Sequence, residues 1–196
     1  MRKPCIWVDF CLTHTATSKF VVELKLTPMP DTDSQKLALF QQVAETLKQQ
    51  GFIIAKEDPT RPWGGFFVID EDQAQQFADI YFNGLSIDNL RISGKLSPKV
   101  LLVAPHQRLS WQYHHRRAEI WQVVQGPVGV ATSDTDEQSE VKSYQVGERI
   151  VLKQGERHRL VGLKDWGVLA EIWQHTDASN PSDEDDIVRV QDDFGR

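Results

Sequence analysis

The chain has 196 residues, 26% of them charged, with a formal net charge of −6 and two cysteines. That length allows one substantial core, or one core with a small appendage, and an acidic balance without a basic stripe excludes an electrostatically driven nucleic-acid binder. There is no run of about 18 apolar residues, and the N-terminus meets Asp9 and the polar stretch Thr13 to Ser18 too soon for a signal peptide, so no membrane span is expected and a cytoplasmic location follows.

In chain order, residues 5–11 and 19–26 read as strands, the second alternating Phe20, Val22, Leu24 and Leu26 against Glu23 and Lys25. Cys5 and Cys11 have no zinc-type spacing and read as small buried hydrophobes. A helix follows, capped by Asp33 or Ser34, with Leu37, Phe40, Ala44 and Leu47 as its apolar stripe and Gly51 as its stop. A second helical pattern covers about Asp72 to Phe82, with Phe77 and Ile80 to Phe82 as contacts, and breaks at Asn83-Gly84.

From Lys99 onward, short apolar runs alternate with turn residues: Val100 to Ala104, Leu109 to Tyr113, Ile120 to Val124, Val128 to Ala131, Arg149 to Leu152, Arg159 to Val161 and Val168 to Trp173. That spacing predicts a mainly β fold, a double-sheet roll closing into a jelly-roll barrel. Thr132 to Ser139 reads as a hairpin loop and Asp177 to Asp186 as a solvated linker to the tail. The chain divides into a small α+β extension over 1–60, packing on a barrel domain over 61–196 that ends in an acidic tail.

Strand geometry points to a metal site, because residues two apart share a face. Gln112 and His114 therefore face the same way, and after a turn through His115 to Ala118 the next strand puts Glu119, Trp121 and Val123 on one face. His158 follows a glycine-containing turn and opens the run Leu160-Val161. Gln112, His114, Glu119 and His158 supply two nitrogen and two oxygen donors, a set suited to one divalent ion. Zinc is the first choice, with Mn, Co, Fe and Ni as alternatives, since imidazole and carboxylate ligands serve several first-row metals.

Four segments carry a family resemblance: Arg61-Pro62-Trp63-Gly64, Gln107 to Gly126, Gly155 to Leu160, and the tail formed by Glu184 to Arg189 with Asp192 to Arg196. In that order they resemble the cupin domain of type II mannose-6-phosphate isomerases, which is found at the C-terminus of bifunctional mannose-1-phosphate guanylyltransferases. The likeness covers about two thirds of the chain. It departs from the family pattern at His106, at Arg116 and Ile120 where the family carries histidines, at Lys153-Gln154 before Gly155, and in the insertion-like segment Glu71 to Ser97.

The resemblance implies a cupin double-stranded β-helix, a metal held by Gln112, His114, Glu119 and His158, and isomerisation of hexose 6-phosphates through an enediolate. It puts the family's essential arginine at Arg117. Arg117, Glu119 and His115 are then the candidate catalytic residues, although strand parity turns His115 away from the metal face unless a bulge intervenes. A sugar phosphate is the expected small-molecule partner, with Arg117, Arg159, Lys99 and Lys153 as candidate substrate-binding cations. Trp63 reads as the anchor of its turn. A homodimer through sheet edges fits the fold. Two other readings remain open: a cupin that binds a sugar or sugar phosphate without turnover, and a metal cupin enzyme with another substrate.

Overall fold

Strand β3 (Lys99–Val103) is buried along its whole length, and its two faces belong to different cores. Val100 and Leu102 pack with the helical layer, whereas Leu101 and Val103 pack inside the barrel. A strand covered on both sides reads as a continuous apolar run instead of an alternating one, which is why Val100 to Ala104 stands out in the sequence. The computed structural model describes residues 32–88, 90 and 95–195. These belong to one compact unit spanning Asp31–Arg196. The strands expected at 5–11 and 19–26, with Cys5 and Cys11, lie outside the described residues.

The other elements are α1 (Thr32–Gln49), β1 (Ile54–Asp58), β2 (Gly64–Ile69), α2 (Ala74–Tyr81), β4 (Trp111–His114), β5 (Arg117–Gln125), β6 (Val128–Ser133), β7 (Lys142–Tyr144), β8 (Arg149–Leu152), β9 (Arg157–Gly162), β10 (Gly167–His175) and β11 (Ile187–Gln191). One sheet has the order β1-β2-β3-β10-β5-β8 and the other β11-β4-β9-β6-β7. All named pairings are antiparallel. Consecutive strands β4, β5 and β6 alternate between the sheets, so the chain winds as a two-sheet roll, in agreement with the expected jelly-roll barrel.

Helix α1 buries Leu39, Phe40 and Leu47 against the outer face of the larger sheet, where Phe67, Val100, Leu102 and Ile172 meet it. Leu37, expected in the stripe, points to solvent at 60% exposure, and Leu39 is buried instead, because at about 100° per residue the face centred on Phe40, Val43 and Leu47 takes in Leu39 and leaves Leu37 at its edge. Asp33 and Ser34 sit in the first turn of a helix that begins at Thr32, where Asp33 favours the positive end of the helix dipole. The segment Glu71 to Ser97 supplies α2, whose Phe77 and Ala78 enter the same core as Leu96. The boundary drawn at residue 60 falls in the turn between β1 and β2, which are paired strands of one sheet.

Gly64 closes the Arg61-Pro62-Trp63-Gly64 turn at φ +144, and a Cβ there would overlap the Leu102 carbonyl of β3. The glycine therefore lets β2 approach β3 closely enough to pair. The tail departs from expectation. Ser182 and Asp186 are buried, and β11 joins the smaller sheet beside β4, so Asp177 to Asp186 is no free solvated linker but in part a strap across the barrel end. Among the described residues, no helix is long and apolar enough to cross a membrane.

Candidate metal centre

Strand β4 pairs with β9 so that Gln112 stands beside His158, while Glu119 projects from β5 of the facing sheet. The two sheets thereby bring His114, Glu119 and His158 together, with candidate ligand atoms all within 4.8 Å of one another. All three are buried. Glu119 Oε1 lies 3.1 Å from His114 Nε2, and Glu119 Oε2 lies 3.5 Å from His158 Nε2.

The far side of each ring decides which nitrogen faces the carboxylate. His114 Nδ1 is 3.0 Å from the Asp186 carbonyl, and His158 Nδ1 is 2.9 Å from the Glu156 carbonyl. A carbonyl only accepts, so each Nδ1 carries the proton and each Nε2 of the neutral ring presents a lone pair to Glu119. Acceptor then faces acceptor, an arrangement that needs a proton or a cation between them. Among the described residues, Glu119 Oε2 and His158 Nε2 are buried with no hydrogen-bond partner. Two orphaned lone pairs converging in a dry site, with both tautomers set from behind, fit a metal ion.

In this structure Arg117 supplies positive charge to the cluster. Its Nε donates to Glu119 Oε1 at 2.8 Å and one terminal nitrogen lies 3.1 Å from His114 Nε2. The other terminal nitrogen donates to Ser182 Oγ and to the Asp183 carbonyl, and the guanidinium stacks 3.6 Å from the Trp173 ring centroid. Burial alone would raise the Glu119 pKa, but His114, Arg117 and His158 outweigh it and hold the carboxyl well below its ordinary range. Burial pushes His158 down to about 4, with Glu119 opposing and His114 adding to the fall. The site therefore holds an ionised carboxylate beside a neutral imidazole, the forms in which both bind metals.

A cavity of about 90 Å³ opens onto this cluster, and Gln112, Arg117 and Glu119 line it. Gln112 Oε1 accepts from Ser110 Oγ at 2.6 Å, and its Nε2 is 3.5 Å from His114 Nε2. A half-turn of the amide presents the oxygen to the cluster, and the Ser110 hydroxyl accepts instead of donating. Lys99 also lines the cavity, buried, ion-paired with Glu184 and 3.6 Å from the Trp173 centroid.

Other expected cations and the expected base stand elsewhere. His115 is exposed, its ring edge-on to Tyr113, because no bulge turns it inward. Lys153 is exposed in the turn before β9 and does not line the cavity. Arg159 alternates with the inward His158, so it points to the opposite face of the smaller sheet, where it binds Gln138 and the Gln191 carbonyl. Trp63 is packed in the barrel core and also lines the cavity.

Four charged cavity residues have no site role in the sequence expectations: Arg61, Glu184 and Arg189, which stand there only in the family-like segments, and Glu171. Glu171 is a buried carboxyl on β10 that accepts from Trp121 Nε1 at 2.9 Å. Burial, then the nearby Glu119 charge, pushes its pKa up to about 8 against the pull of Lys99 and Arg117. A lone carboxylate inside the apolar run Val168 to Trp173 was the signal that could have found it, since such a residue is almost never buried without a task.

Residues 73–192 match the family described as Mannose-6-phosphate isomerase C-terminal. The chain is 32% identical over 136 residues to the xanthan biosynthesis protein XanB of Xanthomonas campestris pv. campestris, a match covering 69% of this chain and 23% of that protein. It is 31% identical over 126 residues to the alginate biosynthesis protein AlgA of Pseudomonas aeruginosa, covering 63% and 24%. The chain thus spans about a quarter of the length of these relatives. Among solved structures it is similar to a Cupin 2 conserved barrel domain protein from Salinispora arenicola, with a TM-score of 0.36 and 21% identity over 43% of this chain and 65% of that one. With more than half of its residues matched, the chain belongs to the Mannose-6-phosphate isomerase C-terminal family.

Proposed function

We propose that this chain is a metal-dependent aldose-ketose isomerase that interconverts mannose 6-phosphate and fructose 6-phosphate. The observation that carries the reading is the convergence of His114, Glu119 and His158 on one point at the wall of a cavity that Arg117 and Glu171 also line. His114, Glu119 and His158, joined by Gln112 after its amide turns, would hold one divalent ion, with zinc the first choice for this nitrogen-rich set. Such an ion supplies Lewis acidity, polarising a substrate oxygen and stabilising negative charge as it develops.

The remaining chemistry falls to the protein. Glu171, in its ionised form, takes the proton from C2 of the aldose and returns it to C1 while the O2 hydroxyl proton passes to O1, and its pKa lies close enough to neutrality both to take and to return the carbon-bound proton. Arg117, held flat on Trp173 and fastened by Ser182, faces the oxygens that bear charge in the enediolate. Trp63, Phe66 and Trp173 exclude water from that end of the cavity.

A coupled assay for mannose 6-phosphate conversion, on protein stripped of metal and then resupplied with single divalent ions, tests this reading. Metal-dependent turnover that is lost in Arg117→Ala supports it. Folded, metal-loaded protein that turns over no sugar phosphate overturns it and leaves a cupin that binds without catalysis.

A further inference from the structure

Two arginines from distant parts of the chain reach the same cavity wall. Arg61 comes from the turn before β2, and Arg189 from β11, where it pairs with Gln112 across the strands. Both stand at the outer end of the cavity: Arg189 is exposed and the Arg61 side chain is 36% exposed, whereas Arg117, Glu119, Trp121 and Glu171 are buried.

The charges in this cavity are unevenly satisfied. Lys99 is paired with Glu184, and Arg117 with Glu119. Arg61 spends its Nε on Asp58 at 2.8 Å. Among the described residues, no acceptor meets its terminal nitrogens, and Arg189 has no side-chain hydrogen bond or ion pair. The outer end therefore carries two guanidinium groups with free donors on the same cavity wall that Glu119 reaches from within. Guanidinium donors in a fork match the geometry of phosphate oxygens and bind them as charge-assisted pairs.

We propose that Arg61 and Arg189 form the anion subsite of this cavity and grip the phosphate of a phosphorylated sugar, leaving its C1 and C2 end against the metal cluster. This assignment rests on the proposed isomerase reading for the sugar but not for the anion. It replaces Arg159 and Lys153, which the fold directs elsewhere, and it gives the turn around Trp63 and the tail strand β11 a shared task. Cavity polarity then sets substrate orientation: unpaired cations outside, and within, paired cations, the candidate metal ligands and the proton carrier.

The test is calorimetric titration of the full chain with mannose 6-phosphate, mannose and inorganic phosphate, using wild type, Arg61→Gln, Arg189→Gln and the double variant, with circular dichroism to verify folding. Lys142→Gln, an exposed β7 change, serves as the control. Each single variant is expected to weaken sugar-phosphate binding about tenfold or more, as for loss of a charge-assisted bond. Wild-type affinity should also fall as salt rises. Sugar-phosphate affinity unchanged in the folded double variant overturns the subsite, as does wild type that binds neither phosphate ligand. Wild type whose sugar-phosphate binding depends on Arg61 and Arg189, but which never turns the sugar over, supports the subsite and overturns the isomerase. Turnover with an unchanged KM in the double variant does the reverse.

Discussion

His114 Nδ1 lies 3.0 Å from the main-chain carbonyl of Asp186, a residue 72 positions later in the chain. The Asp186 carboxylate meanwhile accepts from the backbone N–H of His115 at 3.1 Å and of Arg116 at 2.9 Å, and from Ser182 Oγ at 2.7 Å. One tail residue therefore sets the tautomer of a metal-type histidine and pins the turn that leads from β4 into Arg117. The acidic tail is part of the candidate metal centre's frame.

Asp186→Ala keeps the carbonyl that faces His114 but removes the carboxylate that pins the turn after β4 and holds Ser182. It should weaken metal binding by about tenfold, the low end of what loss of a supporting group around a metal site costs. Titration against a competing chelator reads this directly, and wild-type affinity in a folded variant would show that the carboxylate's hold on the turn does not support the site.

Removing a ligand has a larger effect. His114→Ala and His158→Ala are each expected to leave purified protein without stoichiometric metal, measured by elemental analysis. In wild type, chelation should lower Tm, because an ion bound only to the native state stabilises it by mass action. Unchanged stoichiometry in both variants would sink the ligand assignment.

Glu171→Gln keeps the acceptor for Trp121 Nε1 and the volume of the side chain but cannot carry a proton. We expect kcat to fall by about 10² to 10⁴, the usual contribution of a positioned acid or base. Calorimetric affinity for the sugar phosphate should stay within about threefold of wild type. A variant with normal kcat would remove Glu171 from the chemistry.

The pH dependence of stability in metal-free protein follows from three buried groups. His175 accepts the Ser182 N–H through Nδ1, and burial, followed by Lys95, Arg117 and Arg116, pushes its pKa from 6.5 down to about 4. His158 is shifted likewise to about 4. Between those values the unfolded chain binds more protons, so both histidines contribute stability above pH 6.5 that is lost as pH falls toward 4. Glu171, raised from 4.5 to about 8, works in the opposite sense: its contribution is complete below 4.5 and lost as pH rises through 8. Two groups against one leave a net loss of about 1.4 kcal/mol per pH unit on acidification from 6.5 to 4.5. Denaturant melts across that range should show the slope in wild type and a flatter profile in His175→Asn, whose amide oxygen still accepts from Ser182.

Much of the barrel was legible because its strands are short apolar runs set off by turn residues. The runs from Val100, Ile120, Val128, Arg149 and Val168 each fall in or on an observed strand. Strands β1, β2, β7 and β11 were missed for identifiable reasons. β1 carries Lys56, Glu57 and Asp58 at a sheet edge, where no apolar pattern is required, and β7 and β11 also lie at edges. β2 opens with two glycines that suggest a turn. Their strand identity comes from partners far away in sequence.

In the site, local parity was enough to pair Gln112 with His114 and to turn Glu119 inward, since side chains alternate along any strand. The same rule, carried through β9, would also have turned Arg159 away once His158 faced in. The sequence by itself determined the two-sheet character, the three residues of the candidate metal site and the family, because strand periodicity, side-chain chemistry and short motifs are local properties. Only the tertiary structure decided which cations share the cavity, that Glu171 is buried there with a raised pKa, and that Asp186 braces His114. Those relations depend on which strands become neighbours and how much water they exclude, and neither is a property of any single segment.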